Sequence, residues 1–182
     1  MPAPQGARWG TRPVDNEEEQ RSLLRKRTRA RALALQFLYL LDQRGSEVLP
    51  ELDAFVLEGD GDPNVQRFAR DLVRGVVANL PEIDSTIIGV AENWDIHRMA
   101  VVDRNVLRLA CYELMYEPDI PPKVSINEAI DLAKKYSTAE SGAFVNGILD
   151  KIRKNCNKTR PPAYGPSSSM GLPAPPRASR RR

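Results

Sequence analysis

Apolar residues along this chain recur at spacings of three and four, the repeat of a helix with one buried face. Ala30, Leu33, Ala34, Phe37, Leu38 and Leu41 trace the first such stripe, and Val48, Leu52, Phe55 and Val56 a short second one. Val65, Phe68, Ala69, Leu72, Val73, Val76, Val77 and Leu80 make a longer stripe, opened by Asp62 as N-cap with Pro63 at the first helical position. Leu80 and Pro81 break it, and Ile83, Ile87, Ile88 and Ala91 mark a further helix ending before Trp94. The next runs from about Val101 to Tyr116 with Val102, Val106, Leu109, Ala110 and Leu114 on its buried side; the stretch Asp119, Ile120, Pro121, Pro122 stops it. Ile126, Ile130, Ala133 and Lys134 trace a helix that opens either at a capping box from Ser125 to Glu128 or one turn earlier at Pro122. Phe144, Val145, Ile148, Leu149 and Ile152 mark the last. Seven helices and no strand pattern predict an all-α, seven-helix bundle.

Periodicity fails at both ends. Residues 1–20 mix Pro, Gly and charge, and residues 157–182 are rich in Pro and Ser and close on three arginines. Neither stretch can bury enough apolar surface to offset the entropy of ordering, so both are expected to be flexible tails around a helical domain at 21–156.

Charge sharpens this division. The net +3 of the 182 residues conceals a partition: residues 1–31 hold eight Lys/Arg against four Asp/Glu, residues 32–152 eleven against twenty, and residues 153–182 eight against none. Basic ends suit a polyanion and the acidic body suits a cationic partner. The densest cationic run, Arg21, Arg25, Lys26, Arg27, Arg29 and Arg31, enters the first amphipathic helix directly, making residues 21–31 an arginine-rich arm. No acidic residue between Gln20 and Asp42 supplies pairing within that helix, and arginine forks grip phosphate bidentately and stack on bases. The arm therefore reads as a nucleic-acid contact.

Little else points to chemistry. Cys111 and Cys156 are too few for a disulfide framework, and no apolar run has the length of a membrane span or the setting of a signal peptide, so a cytoplasmic location is expected. Asp60, Asp62 and Asn64 imitate the start of a calcium loop, but Val65 stands where that loop needs Gly, leaving a helix-opening turn. His97 is the only histidine, which removes the usual nucleophile and base arrangements and argues against zinc. Gly142 and Gly147 fall in a helix, where small residues permit close packing. No catalytic residue, metal or cofactor is expected. Phe144, beside small and polar residues in the run from Ser141 to Gly147, is either core or a platform on which an unpaired base stacks.

Five stretches together resemble the bacterial NusB family of transcription antitermination factors: residues 29–42, 68–84, 102–116, 120–136 and 141–152, the last two (IPPKVSINEAIDLAKKY and SGAFVNGILDKI) being the most specific. The resemblance spans about 25–153 and excludes both tails. It implies two packed three-helix bundles, no enzymatic activity, binding to the boxA element of ribosomal RNA leaders, and pairing with the small-subunit ribosomal protein NusE in an antitermination complex on RNA polymerase. Carried over by motif, Arg27, Arg29 and Arg31 fall in the family's RNA-binding arginine segment, with Arg25 and Lys26 beside it and Thr28 interrupting it. Gln36 and Tyr39 continue along the same helix, Glu140 and Phe144 fall where the last helix approaches RNA, and Glu113 falls on the helix associated with NusE. Homodimerisation is left open.

The resulting expectation is a factor that binds boxA-like single-stranded RNA and a NusE-type protein, since phosphate contact plus stacking suits an unpaired strand. Two rivals are a helical protein-protein adaptor without RNA affinity and a NusB-like accessory domain of an RNA methyltransferase system.

Overall fold

A computed structural model describes residues 16–91 and 95–159. Seven α-helices, and no strand among the described residues, follow in order: α1 Asn16–Arg44, α2 Leu52–Gly59, α3 Pro63–Ala78, α4 Leu80–Val90, α5 Val101–Tyr116, α6 Pro122–Tyr136 and α7 Ser141–Thr159. Short 3-10 turns precede α2 (Ser46–Glu51) and α5 (Ile96–Arg98). Helices α1, α2 and α3 pack together, α5, α6 and α7 pack together with α4 against α5 and α7, and α5 joins the halves by also packing on α1 and α3. The leading helix is thus a member of the first bundle.

The apolar stripes become the core. Ala30, Leu33, Ala34, Phe37 and Leu38 of α1 are buried against Val65, Ala69, Leu72, Val73 and Val76 of α3, while Val106, Leu109 and Ala110 of α5 meet Val145, Ile148, Leu149 and Ile152 of α7. Ile88 departs from its stripe: it is exposed, whereas Ile83 and Ile87 are buried. Arginine forks reinforce the junction. Arg104 on α5 donates to Asp42 on α1 at 2.7 and 3.0 Å, and Arg108 grips Asp84 on α4 with two bonds of 2.8 Å.

Helix ends follow local chemistry. The Asp62 carboxylate accepts from the Asn64 N–H at 2.9 Å, capping α3 as its sequence predicts, and α1 stops where Gly45 takes φ +86°. One end differs from expectation, and another is decided between the two starts that the sequence left open. α1 begins at Asn16, so residues 16–20 are helical, because Glu17, Glu18 and Glu19 favour the positive end of the helix dipole and Glu17 pairs with Arg21 one turn on. α6 begins at Pro122, and Ser125 is therefore no cap but a buried residue inside the first turns. The remainder of the proposed leader, 1–15, and of the proposed tail, 160–182, lies outside the described residues.

The two glycines read as packing positions separate. A side chain at Gly142 would meet Lys134 carbons at 3.0 and 3.1 Å, whereas one at Gly147 would meet nothing within 4 Å. Gly147 therefore costs helix propensity without aiding packing. Gly147→Ala is expected to stabilise the fold by about 0.5–1 kcal/mol, read as a higher midpoint in urea denaturation.

Candidate nucleic-acid interface

Helical geometry sorts the cationic arm before any contact is considered. At roughly 100° per residue, Arg25, Arg29, Gln36 and Tyr39 fall within an arc of about 80° and span about 21 Å of α1, whereas Arg27 and Arg31 lie on another side. The structure agrees: Arg25, Arg29, Gln36 and Tyr39 are exposed, Lys26 and Arg27 are half-buried, and Arg31 is only 2% exposed. Arg29 and Gln36 edge a groove of about 380 Å³ between α1 and α2, floored by Ala32, Leu33 and Phe55.

Arg31 and Glu113 depart most from their expected roles. The Arg31 guanidinium donates to both Glu113 carboxylate oxygens, at 2.6 and 3.0 Å, and lies 3.6 Å from Glu128. Glu113 also accepts from the Ser125 hydroxyl at 2.6 Å and is itself only 2% exposed. Neither residue can present charge to RNA or to a protein partner. They form a buried, bidentate ion pair that ties α1 to α5, and the Ser125 hydroxyl and the Glu128 carboxylate tie it to α6. The sequence reading expects Arg31 at RNA and Glu113 at a docking partner, and both side chains are buried in this fold.

Lys26, Arg27 and Arg29 are held by partners that sequence distance concealed. Arg29 donates to both oxygens of Asp60, at 2.8 and 3.2 Å, Lys26 meets Asp62 at 3.0 Å, and the Thr28 hydroxyl donates to Glu128 at 2.9 Å. Phe68 of α3 offers its ring to two cations: the Arg27 guanidinium carbon lies 5.4 Å from its centroid and that of Arg31 5.6 Å. The arm is thus a set of positioned, partly compensated cations. Hydrogen bonds from Arg29 hold the Asp60 carboxyl below the usual carboxylate range, and Lys26 with the Asn64 N–H does the same for Asp62. Because these folded-state values are depressed, the stabilisation is complete above the ordinary carboxylate range near pH 4 and disappears as pH falls through the folded values. Carboxyl-carbon NMR titration should find both groups protonating later on acidification than free aspartate; midpoints at the free value would contradict the pairing.

Glu140 and Phe144 stand apart from this face. Glu140 is exposed at the start of α7, where its carbonyl accepts from the Ala143 and Phe144 N–H groups, and Phe144 is half-buried against the core. α7 packs chiefly on α5 and α6. The buried Cys111 thiol, pushed up to about 12 chiefly by desolvation, is inert. Among the described residues no group of His, Cys, Asp and Glu is arranged to hold a metal ion, and no helix is long and apolar enough to cross a membrane.

A sequence model of the NusB family matches residues 28–154. The chain belongs to the NusB family. The transcription antitermination protein NusB of Desulfatibacillum aliphaticivorans is 46% identical over 133 residues, covering 73% of this chain and 93% of that protein. NusB of T. maritima superposes with a TM-score of 0.64 at 45% identity, over 70% of this chain and 90% of that one. A chain from a crystal structure of the antitermination factors NusB and NusE in complex with dsRNA superposes at 0.66 with 34% identity, over 72% and 98% of the two. Within this NusB-family chain, Arg29, Gln36, Tyr39, Glu140 and Phe144 lie inside the matched span, while Arg25, Lys26 and Arg27 precede it.

Proposed function

We propose that this NusB-family chain is a non-catalytic, cytoplasmic transcription antitermination factor. Its α1 face binds a boxA-like single strand of a ribosomal RNA leader, its acidic body docks a basic, NusE-type ribosomal protein, and the pair joins an antitermination complex on RNA polymerase. The observation that carries the reading is the exposed strip of Arg25, Arg29, Gln36 and Tyr39, flanked by Lys26 and Arg27, on the first helix of a NusB-family fold. Cations on such a strip track the phosphates, while the Gln36 amide and Tyr39 ring offer hydrogen bonding and stacking to splayed bases. Glu140 and Phe144 form a second contact, reached by a strand that continues across α6. Glu113 takes no part in docking, so complementarity to the partner rests on exposed carboxylates.

A second reading has support of its own, because the similar NusB and NusE chains were crystallised with double-stranded RNA. Fluorescence anisotropy with a labelled boxA-like strand and with the same strand annealed to its complement separates the two. The single strand is expected to bind more tightly, with an affinity that falls with salt at a log-log slope of about −0.7 per phosphate neutralised. Tighter binding of the duplex would establish the second reading, and binding of neither would overturn both. Co-elution with a NusE-type protein on size exclusion tests the partner.

A further inference from the structure

The cations of the proposed RNA face are engaged in a particular way. The Arg29 fork is closed on Asp60 with the two-bond geometry it would use on a phosphate, and Lys26 is closed on Asp62. Both carboxylates belong to the turn between α2 and α3, and that turn is pinned. The Asp62 N–H donates to an Asp60 carboxylate oxygen at 2.9 Å, the Gln66 amide donates to the Asp60 carbonyl at 2.7 Å, and Asp62 caps α3 ahead of Pro63. A pinned turn cannot swing away cheaply when a polyanion arrives. Yet the Arg29 side chain remains 51% exposed and that of Lys26 32%, so a strand can reach both.

We infer that Asp60 and Asp62 are specificity-determining residues that compete with RNA phosphates for Arg29 and Lys26. The inference rests on the proposed RNA reading. A strand that offers only phosphates must displace or share these carboxylates and gains little from doing so. A strand whose bases also engage Gln36 and Tyr39 has further contacts with which to overcome the competition. The acidic turn therefore lowers affinity for all RNA but lowers it most, in consequence, for RNA bound by charge alone. It also fixes the bare cation count that salt dependence reports, since a cation already neutralised releases fewer counterions.

The test is the full-length Asp60→Asn, Asp62→Asn double variant. Asparagine keeps the turn and caps a helix as well as aspartate does, so folding should survive, and circular dichroism with thermal melting checks this. A charge-matched control, Glu47→Gln with Asp119→Asn, removes two exposed carboxylates that lie outside the acidic turn and face no ion-pair partner among the described residues. Anisotropy is measured with a labelled boxA-like strand and with an unrelated strand of equal length across a salt series. The acidic-turn variant is expected to bind the unrelated strand roughly two- to thirty-fold more tightly, the span set by releasing two solvent-accessible ion pairs. Its preference for boxA-like RNA should fall and its salt slope should steepen by up to about 1.4. The control should leave preference and slope as in the wild type. Wild-type binding with no change in the variant, or an equal change in the control, would overturn the inference while leaving the RNA reading intact. Absence of wild-type binding to either strand would overturn the RNA reading and the inference with it.

Discussion

Glu113→Gln is expected to cost about 3–5 kcal/mol, a large share of the stability of an ordinary domain, because it strands the Arg31 guanidinium in the core. Glu113→Lys should do worse, placing a second cation beside the first at a position 2% exposed. The loss should appear as a fall in the urea midpoint with helicity and binding lost together, not as selective failure to dock a partner. The converse is equally diagnostic. In the combined variant Arg31→Met, Glu113→Leu, Ser125→Ala the polar triad is replaced by apolar groups, and most of the lost stability should return, since the pair's own attraction only offsets its desolvation. A Glu113→Gln chain of wild-type stability would show that the pair is not buried in solution.

Replacing Arg25, Arg27 and Arg29 together with Ala should instead leave folding near wild type and weaken binding to boxA-like RNA. If each cation neutralises one phosphate at about 0.7 in slope, removing three flattens the salt dependence by about 2 and lowers affinity on the order of a hundredfold near 0.1 M salt. Arg27 contributes less than this if its stacking on Phe68, 5.4 Å away, holds it back from the strand. Comparing the single variants along the salt series therefore ranks the face: Arg25 first, as the exposed cation with no carboxylate closed on it among the described residues, then Arg29 behind Asp60, and Arg27 last. An unchanged slope in the triple variant would move the RNA contact off α1.

What the sequence made legible and what it hid divide along sequence distance. The stripe from Ala30 to Leu38 and the Asp62 cap are local patterns, fixed by a 3.6-residue period and by a neighbouring N–H, and both appear in the fold as expected. The arginines were legible as a run but not as individuals. Arg29 and Arg31 differ by two positions and by their whole environment, because the partner of one lies 31 residues away and that of the other 82. A wheel of α1 would have placed Arg31 away from Gln36 and Tyr39, yet nothing local names Glu113 as its carboxylate. Ser125 shows the same limit. Its spacing to Glu128 fits a capping box, but Pro122 starts the helix a turn earlier and frees the hydroxyl for Glu113. Asp60 and Asp62 were legible as a turn and hidden as counterions for the arm.

The most direct test of this division of labour is amide and side-chain NMR of the full chain titrated with a boxA-like single strand. Large shifts are expected along Arg25, Lys26, Arg29, Gln36 and Tyr39, with the Arg31 guanidinium and its neighbours at Glu113 and Ser125 unmoved. Shifts centred on Arg31 and Glu113, or an α1 face that stays silent while RNA binds, would contradict it.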